Sequence, residues 1–444
     1  MSLRQSVALL KGCQKIAIGL MVLHAIGVLV VWVWALSRPH MVEPIEIRVA
    51  NLIALWREGY LPYGFADRLP AVWNPYGFVY EWLCSLRWGT LHPYWNGRLL
   101  SIMAAMLTAL CLLLWSHQQT GSIKGGVVAT LLLLTAKPIF AFGHLCRVDM
   151  LGVALSMLGF VWVMSGRCGL KIGLGILMMV LAFHVKVTFV AAPIACCLAF
   201  WQNQRHRAMA IGLLWAVGAL GGLALLQWWT KGAYLFQAQL ANTPSLWTKP
   251  IDMLTRPLTS SPFWMLALLF FHRSQRKLLS APESLYCLCS LIVAGVTSTN
   301  PGSSWNYLME FYGAIALLTV RALNSLPTKE LTWQLGALLL CHALFSLLHT
   351  SYFMAKDVQK VIAYVPAYQR ARSRLAVLLR DHPRLLIFGS SAGMDALLSF
   401  GKANLLDLPD ELAERSQALM RQALQAGSID MVLFGDDLKP WHGR

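Results

Sequence analysis

The chain has 444 residues, of which 57% are hydrophobic and 13% charged, with a formal charge of +17 and a mean hydropathy of +0.56. Soluble domains run at about 45 to 50% apolar and about 25% charged, so a soluble enzyme is excluded, and at about 20 residues per membrane helix the chain reads as a polytopic, all-α membrane protein. A basic balance also suits nucleic acid, but here Lys and Arg fall in short groups between apolar runs, so no nucleic-acid partner is expected. Cys111, Cys196, Cys197, Cys287, Cys289 and Cys341 lie within those runs, where a thiol is a small hydrophobe. No disulfide framework or CxxC metal site is expected.

In chain order, Arg4, Lys11 and Lys15 precede an apolar run over 16 to 36. The run is too long for a signal-peptide core and lacks a small-residue cleavage site, so it is expected to stay as a signal anchor with the N-terminus cytoplasmic. The segment 37 to 97 is a first outer loop, in which Ile45, Val49, Leu52, Ile53 and Trp56 recur at helical spacing. That pattern predicts an amphipathic helix lying along the membrane surface.

Further apolar runs cover 98 to 116, 126 to 143, 149 to 166, 171 to 183, 187 to 201, 209 to 229, 261 to 272, 283 to 298, 307 to 323 and 331 to 352, giving about 11 transmembrane helices with the first. His184 and Lys186 divide 171 to 201 into two helices. Alternation puts Lys124, Arg167, Lys171, Arg205, Arg207, Arg273, Arg276, Lys277, Arg321 and Lys329 on the N-terminal side, as the positive-inside rule asks. Arg38, Arg48, Arg57, Arg68 and Arg87 in the first outer loop run against it. An odd count places the C-terminus outside. Residues 1 to 352 form the membrane domain. In 353 to 444 the apolar runs 385 to 388 and 429 to 434 flank an amphipathic stretch from 410 to 426, which predicts a small α/β appendage.

Ionisable residues at an apolar boundary are candidates for function. Glu43 and Glu46, three apart, fall on one face of a helix; they also fit plain capping, with Pro44 at the first helical position, Glu43 at the N-cap and Glu46 a first-turn acid. Arg147 and Asp149 share a short turn, where they pair with each other or hold an anionic headgroup. Lys186 has apolar helix on both sides and no acid beside it in sequence; a phosphate would supply its counter-charge, and snorkelling is the alternative. Asn306 and Glu310 follow a Gly/Ser loop on one helix face, suited to a polyhydroxylated ligand. Gly389-Ser-Ser-Ala-Gly393 matches GxSxG, but the tail is too short for a hydrolase sheet, and a glycine-rich turn is the reading.

The set Glu43-Pro-Ile-Glu46, Gly59-Tyr-Leu-Pro-Tyr63, Trp73-Asn-Pro-Tyr76, Gly97-Arg98, Arg147-Val-Asp149, Lys186-Val-Thr188 and Gly302-Ser-Ser-Trp-Asn306-Tyr-Leu-Met-Glu310 resembles the GT-C superfamily of bacterial membrane glycosyltransferases. That group includes polyprenyl-phosphate-dependent mannosyl-, glucosyl- and aminoarabinosyltransferases. The resemblance implies a GT-C-like fold in the bacterial inner membrane, a polyprenyl-phosphate-linked sugar donor, and a glycan, lipid or protein acceptor.

It also implies that a carboxylate of the first outer loop is the catalytic base. The family has an adjacent Asp-Glu or a single Asp there, whereas this chain has two Glu three apart; Glu46 fits better by its distance to Gly59 and the following Arg48, and Glu43 is the alternative. Lys186 and Arg147 are then expected at the donor phosphate. Asp149, Asn306, Glu310, Tyr63, Trp73 and Tyr76 are expected around the sugar or acceptor. The carboxylates suit a divalent cation, Mg or Mn, but no ligand spacing demands one. The competing reading is a transporter or flippase of a lipid-linked glycan; against it stand the absence of pseudo-repeated halves and charges gathered at one face.

Overall fold

The structure is a computed structural model that describes residues 3–43, 45–63, 74–86, 92–166, 168–241, 250, 251, 253, 255, 281–299, 304–325, 332–381, 385–388, 420–426, 431–434 and 439–440. Helix α1 (Leu3–Leu36) is followed by α2 (Ile45–Arg57), α3 (Val79–Ser85), α4 (Pro93–Thr120), α5 (Lys124–Leu134), α6 (Lys137–Phe142) and α7 (Asp149–Ser165). Then come α8 (Gly169–Val185), α9 (Ala191–Trp201), α10 (Arg205–Trp229), α11 (Ala233–Ala241), α12 (Pro282–Thr297), a 3-10 turn (Trp305–Leu308), α13 (Met309–Ser325) and α14 (Thr332–Asp381). The expected run over 261 to 272 lies outside the described residues.

Among the described residues, Gln14–Leu36, Pro93–Thr120 and Arg205–Trp229 are long and apolar enough to cross a bilayer, and five further apolar helices have 10 to 17 residues. Helices α7 and α8, at 17 residues each, sit at the lower edge of what a span needs. They pack through small residues: a side-chain carbon on Gly159 would come within 2.7 Å of the Gly175 carbonyl, and one on Gly175 within 2.9 Å of the Gly159 carbonyl. Small residues let membrane helices approach this closely where hydrophobicity alone gives no drive to associate.

The split at Lys186 is present, since α8 ends at Val185 and α9 begins at Ala191. Two other expectations are corrected. Residues 126 to 143 are not one helix: Ala136 is extended and Pro138 opens α6, because a proline suits a first turn but not an interior. Helix α2 forms as expected, and Ile47, Val49, Ala50, Asn51, Leu52, Ile53, Ala54 and Leu55 along it are buried against the rest of the protein.

The last correction concerns the final span. Helix α14 has 50 residues, roughly 75 Å at 1.5 Å per residue, and so runs straight through the expected boundary at 352. Val361, Tyr368, Ala371 and Leu375 are buried along its second half at helical spacing, and Tyr364 and Tyr368 pack on His40 with ring centroids 6.0 and 5.3 Å away. The continuation thus packs on the segment that follows α1. Beyond it, β1 (Leu385–Phe388) pairs parallel with β2 (Met431–Phe434), which pairs antiparallel with β3 (Lys439–Pro440). The GxSxG match lies outside the described residues.

Candidate active site

The α1–α2 connection, the start of α4, the turn before α7, the end of α8 and the start of α13 meet at one end of the bundle. A buried clamp joins the first three. Arg98, on the second turn of α4, uses all five of its N–H donors. Nε and one Nη2 bond donate to Glu46 Oε1 and Oε2 at 2.9 and 2.7 Å. Nη1 donates to the Ala35 and Arg38 carbonyls at 2.6 and 2.9 Å, and Nη2 to that of His40 at 2.8 Å.

Glu46 also accepts the Cys146 amide at 2.7 Å, the Val42 amide at 2.7 Å and the Glu43 amide at 3.3 Å. Its side chain is 0% exposed. Burial alone would raise its pKa; the charge and hydrogen bonds of Arg98 outweigh that and hold the carboxylate below its ordinary value.

Glu43 is placed differently. It precedes α2, and its Oε2 accepts the Ile45 amide at 3.1 Å and an Arg147 Nη1 donor at 3.3 Å, while 28% of the side chain stays exposed. Burial raises its pKa, Arg147 pulls it down, and Glu46 and Asp149 push it up, leaving it above the ordinary carboxylate value. Glu43 lines a cavity of about 310 Å³ together with Trp34, Lys137, His144, Arg147, Trp305 and Lys360.

Beside the cavity, Asp149 at the start of α7 gathers three of the expected residues. Its Oδ1 accepts Lys186 Nζ at 2.9 Å and Asn306 Nδ2 at 2.9 Å, and its Oδ2 accepts Arg147 Nε at 3.2 Å. A buried cation with apolar helix around it needs a fixed counter-charge; for Lys186 that partner comes from α7, with Lys186 Nζ also 4.0 Å from the Tyr307 ring centre. Glu43, Arg147, Asp149, Lys186 and Asn306 thus form one connected group.

The aromatic motifs converge on it from the segment between α2 and α4. Asn74 Oδ1 accepts the Tyr76 amide at 3.0 Å and Gly77 donates to the Val185 carbonyl at 3.2 Å, which lays this strip on the end of α8. Any side chain at Gly77 would strike the His184 carbonyl. Tyr63 donates its hydroxyl to the Tyr76 carbonyl at 2.9 Å, and the Tyr76 hydroxyl lies within electrostatic reach of Arg147 and Lys186. Trp73 lies outside the described residues. Glu310 stands apart, buried and accepting the Tyr286 hydroxyl at 3.0 Å.

Lys137 and Lys360 were missed at the sequence level. Lys137 had a legible signal, a cation followed by proline inside an apolar run; its Nζ sits 4.1 Å from the Trp305 ring centre. Lys360 had none, because only the length of α14 brings it to the cavity. At the other end of the bundle Lys171, Arg207 and Arg321 share a recess of about 860 Å³. The carboxylate beside it, Glu283, is taken up by Trp115, Gln119 and Arg321 at 3.0 to 3.2 Å, so among the described residues that recess offers no free base. Among the described residues no group of three or more His, Cys, Asp or Glu is gathered as for a metal ion.

Glu81 on α3 is fully buried, and neither of its oxygens has a hydrogen-bond partner among the described residues. Burial pushes its pKa from 4.5 up to about 8, so the folded protein keeps a proton that the unfolded chain releases. Stability should therefore fall as pH rises from the unfolded to the folded value and level off above about 8. Glu81→Gln is expected to melt with wild type at pH 4 and several degrees higher at pH 9. Equal melting temperatures for the two proteins at pH 9 would show that the carboxyl is paired.

Two solved structures share this architecture. ArnT from Cupriavidus metallidurans bound to undecaprenyl phosphate superposes with a TM-score of 0.56 at 15% identity, over 92% of this chain and 78% of that one. The apo form of the same protein gives 0.53 at 15% identity, over 87% and 75%. No protein-family model and no curated protein sequence matches the chain. The likeness lies in the fold: at 15% identity the chain shares the polytopic helical membrane architecture of these two structures.

Proposed function

We propose that the protein is an integral-membrane inverting glycosyltransferase, moving a sugar from a polyprenyl-phosphate donor to an acceptor hydroxyl at the periplasmic face of a bacterial inner membrane. The observation that carries the reading is a carboxylate with spare exposure, Glu43, held by Arg147 at the wall of a cavity in a fold shared with a protein that binds undecaprenyl phosphate. The base is Glu43 rather than Glu46, because every Glu46 oxygen is already committed to Arg98 and backbone amides. Glu43 removes the acceptor proton as the acceptor oxygen attacks the anomeric carbon. The bond from that carbon to the phosphate oxygen breaks, and the charge gathering on the leaving phosphate is met by Arg147 and Lys137 on the cavity wall, with Lys186 adding charge from behind Asp149.

Asp149 and Asn306 position this group, with Tyr63 and Tyr76 flanking it and Glu310 supporting α13. The basic loops keep the N-terminus cytoplasmic. About 11 spans form the membrane domain, and the tail is a small periplasmic α/β appendage carried on α14.

Proteoliposomes supplied with undecaprenyl phosphate carrying aminoarabinose, glucose or mannose, and with bacterial envelope extract as acceptor source, should release undecaprenyl phosphate from at least one donor. Release is expected to survive EDTA, because Arg147 and Lys186 already neutralise the two carboxylates; loss restored by Mg or Mn would assign those carboxylates to a metal instead. No release from any donor, with movement of lipid-linked glycan across the bilayer, would replace the transferase reading with the flippase one.

A further inference from the structure

His144 has no role in the group described above. It sits in the turn between α6 and α7 and lines the same cavity as Glu43, Arg147 and Lys137. The residue is 5% exposed, and neither ring nitrogen makes a hydrogen bond among the described residues. The ring is fixed all the same. It stacks on Trp32 with centroids 5.7 Å apart and planes at 18°, and the Trp32 indole is itself anchored by donating to the Phe140 carbonyl at 3.2 Å. A buried polar side chain without partners is costly, and one that faces a cavity is placed to bond whatever enters it.

The neighbours narrow that ligand's chemistry. Burial disfavours a positive imidazole and, helped by Arg98, outweighs the opposing pull of Glu46 and of the Phe140 carbonyl, so the ring is neutral, its pKa lowered to about 4. A neutral imidazole donates from one nitrogen and accepts at the other. This matches a hydroxyl, which also does both, better than a phosphate, for which Arg147 and the lysines are at hand. The cavity's about 310 Å³ falls at the small end of ligand sites, and Trp34 and Trp305 give it aromatic walls of the kind that sugar faces stack on.

We infer that His144 is a sugar-selecting residue, hydrogen-bonding a hydroxyl of the monosaccharide carried by the lipid donor. This rests on the transferase reading, and it adds a contact to the sugar that is independent of the phosphate contacts. Loss of one such hydrogen bond weakens binding by about tenfold.

The test measures quenching of tryptophan fluorescence in the purified full chain as two lipids are titrated, bare undecaprenyl phosphate and undecaprenyl phosphate carrying the sugar found active in the donor panel. His144→Phe keeps the stack on Trp32 and removes the hydrogen bonds; His144→Gln restores an amide able to donate and accept. Expected is a loss of about tenfold in affinity for the sugar-bearing lipid in His144→Phe, no change for the bare lipid, and partial recovery in His144→Gln. Equal losses for both lipids, or no loss for either, would overturn the assignment while leaving the transferase intact. If wild type bound neither lipid and released nothing from any donor, the transferase reading would fail first and the proposal with it.

Discussion

Glu43→Gln should lower glycosyl transfer by about 10² to 10⁴-fold, the range a positioned general base contributes, and leave the melting temperature near that of wild type. The expectation of a near-normal fold follows from geometry. Among the described residues the Glu43 side chain makes one hydrogen bond to backbone and one 3.3 Å contact to Arg147, and Arg147 retains Asp149 at 3.2 Å when Glu43 is neutral. The pH profile gives a second reading of the same residue. Burial first, then the nearby Glu46 and Asp149, hold Glu43 above the ordinary carboxylate value against the opposing pull of Arg147. A base works only when ionised, so the rate should rise with pH through that raised value, placing the acid limb above the ordinary glutamate pKa of about 4.3. Residual activity in Glu43→Gln should lack the limb. A variant with more than half of wild-type transfer and an unchanged limb would remove Glu43 from the mechanism.

The largest effect on stability is expected at Arg98. Arg98→Ala leaves Glu46 as an uncompensated buried charge and frees three backbone carbonyls, Ala35, Arg38 and His40, that it now satisfies. Breaking a buried pair by removing one partner costs about 3 to 5 kcal/mol. Arg98→Lys should recover little, because an ammonium cannot reproduce a planar fork with five donors. Glu46→Gln should also lower the melting temperature, while activity per folded molecule falls far less than in Glu43→Gln. The pair further sets a pH dependence. Glu46 is held below its unfolded value, so its contribution to stability is present above that unfolded value and is lost as pH falls through the folded one. Thermal melting of each variant in detergent, read beside transfer by the surviving folded fraction, separates the two glutamates. If Glu46→Gln and Glu43→Gln exchanged these phenotypes, the roles would be reversed.

Much of the molecule is legible in one dimension because the bilayer makes it so. A 13% charged fraction leaves few places for charge, and a cation such as Lys186 or a carboxylate such as Asp149 stands out against its apolar neighbours. The split between α8 and α9 could be read in that way, and α2 could be read as a helix from its apolar spacing, whereas Arg147 and Asp149 were legible only as a charged turn that either pairs internally or holds an anion. Tertiary structure decided what spacing could not. Glu43 and Glu46 look equivalent at three residues apart, and the difference between them is Arg98, which lies 52 residues further on and consumes one carboxylate while leaving the other to the cavity. Lys360 and His144 reached the cavity for the same reason, one through a helix that does not stop at the end of its apolar run and the other through a turn pressed against Trp32. Sequence alone thus determined that the chain is a helical membrane protein with a minority of charges left over from orientation. Which of those charges are spent on one another, and which remain available to a substrate, is set by contacts between distant segments, and only the folded structure forms them.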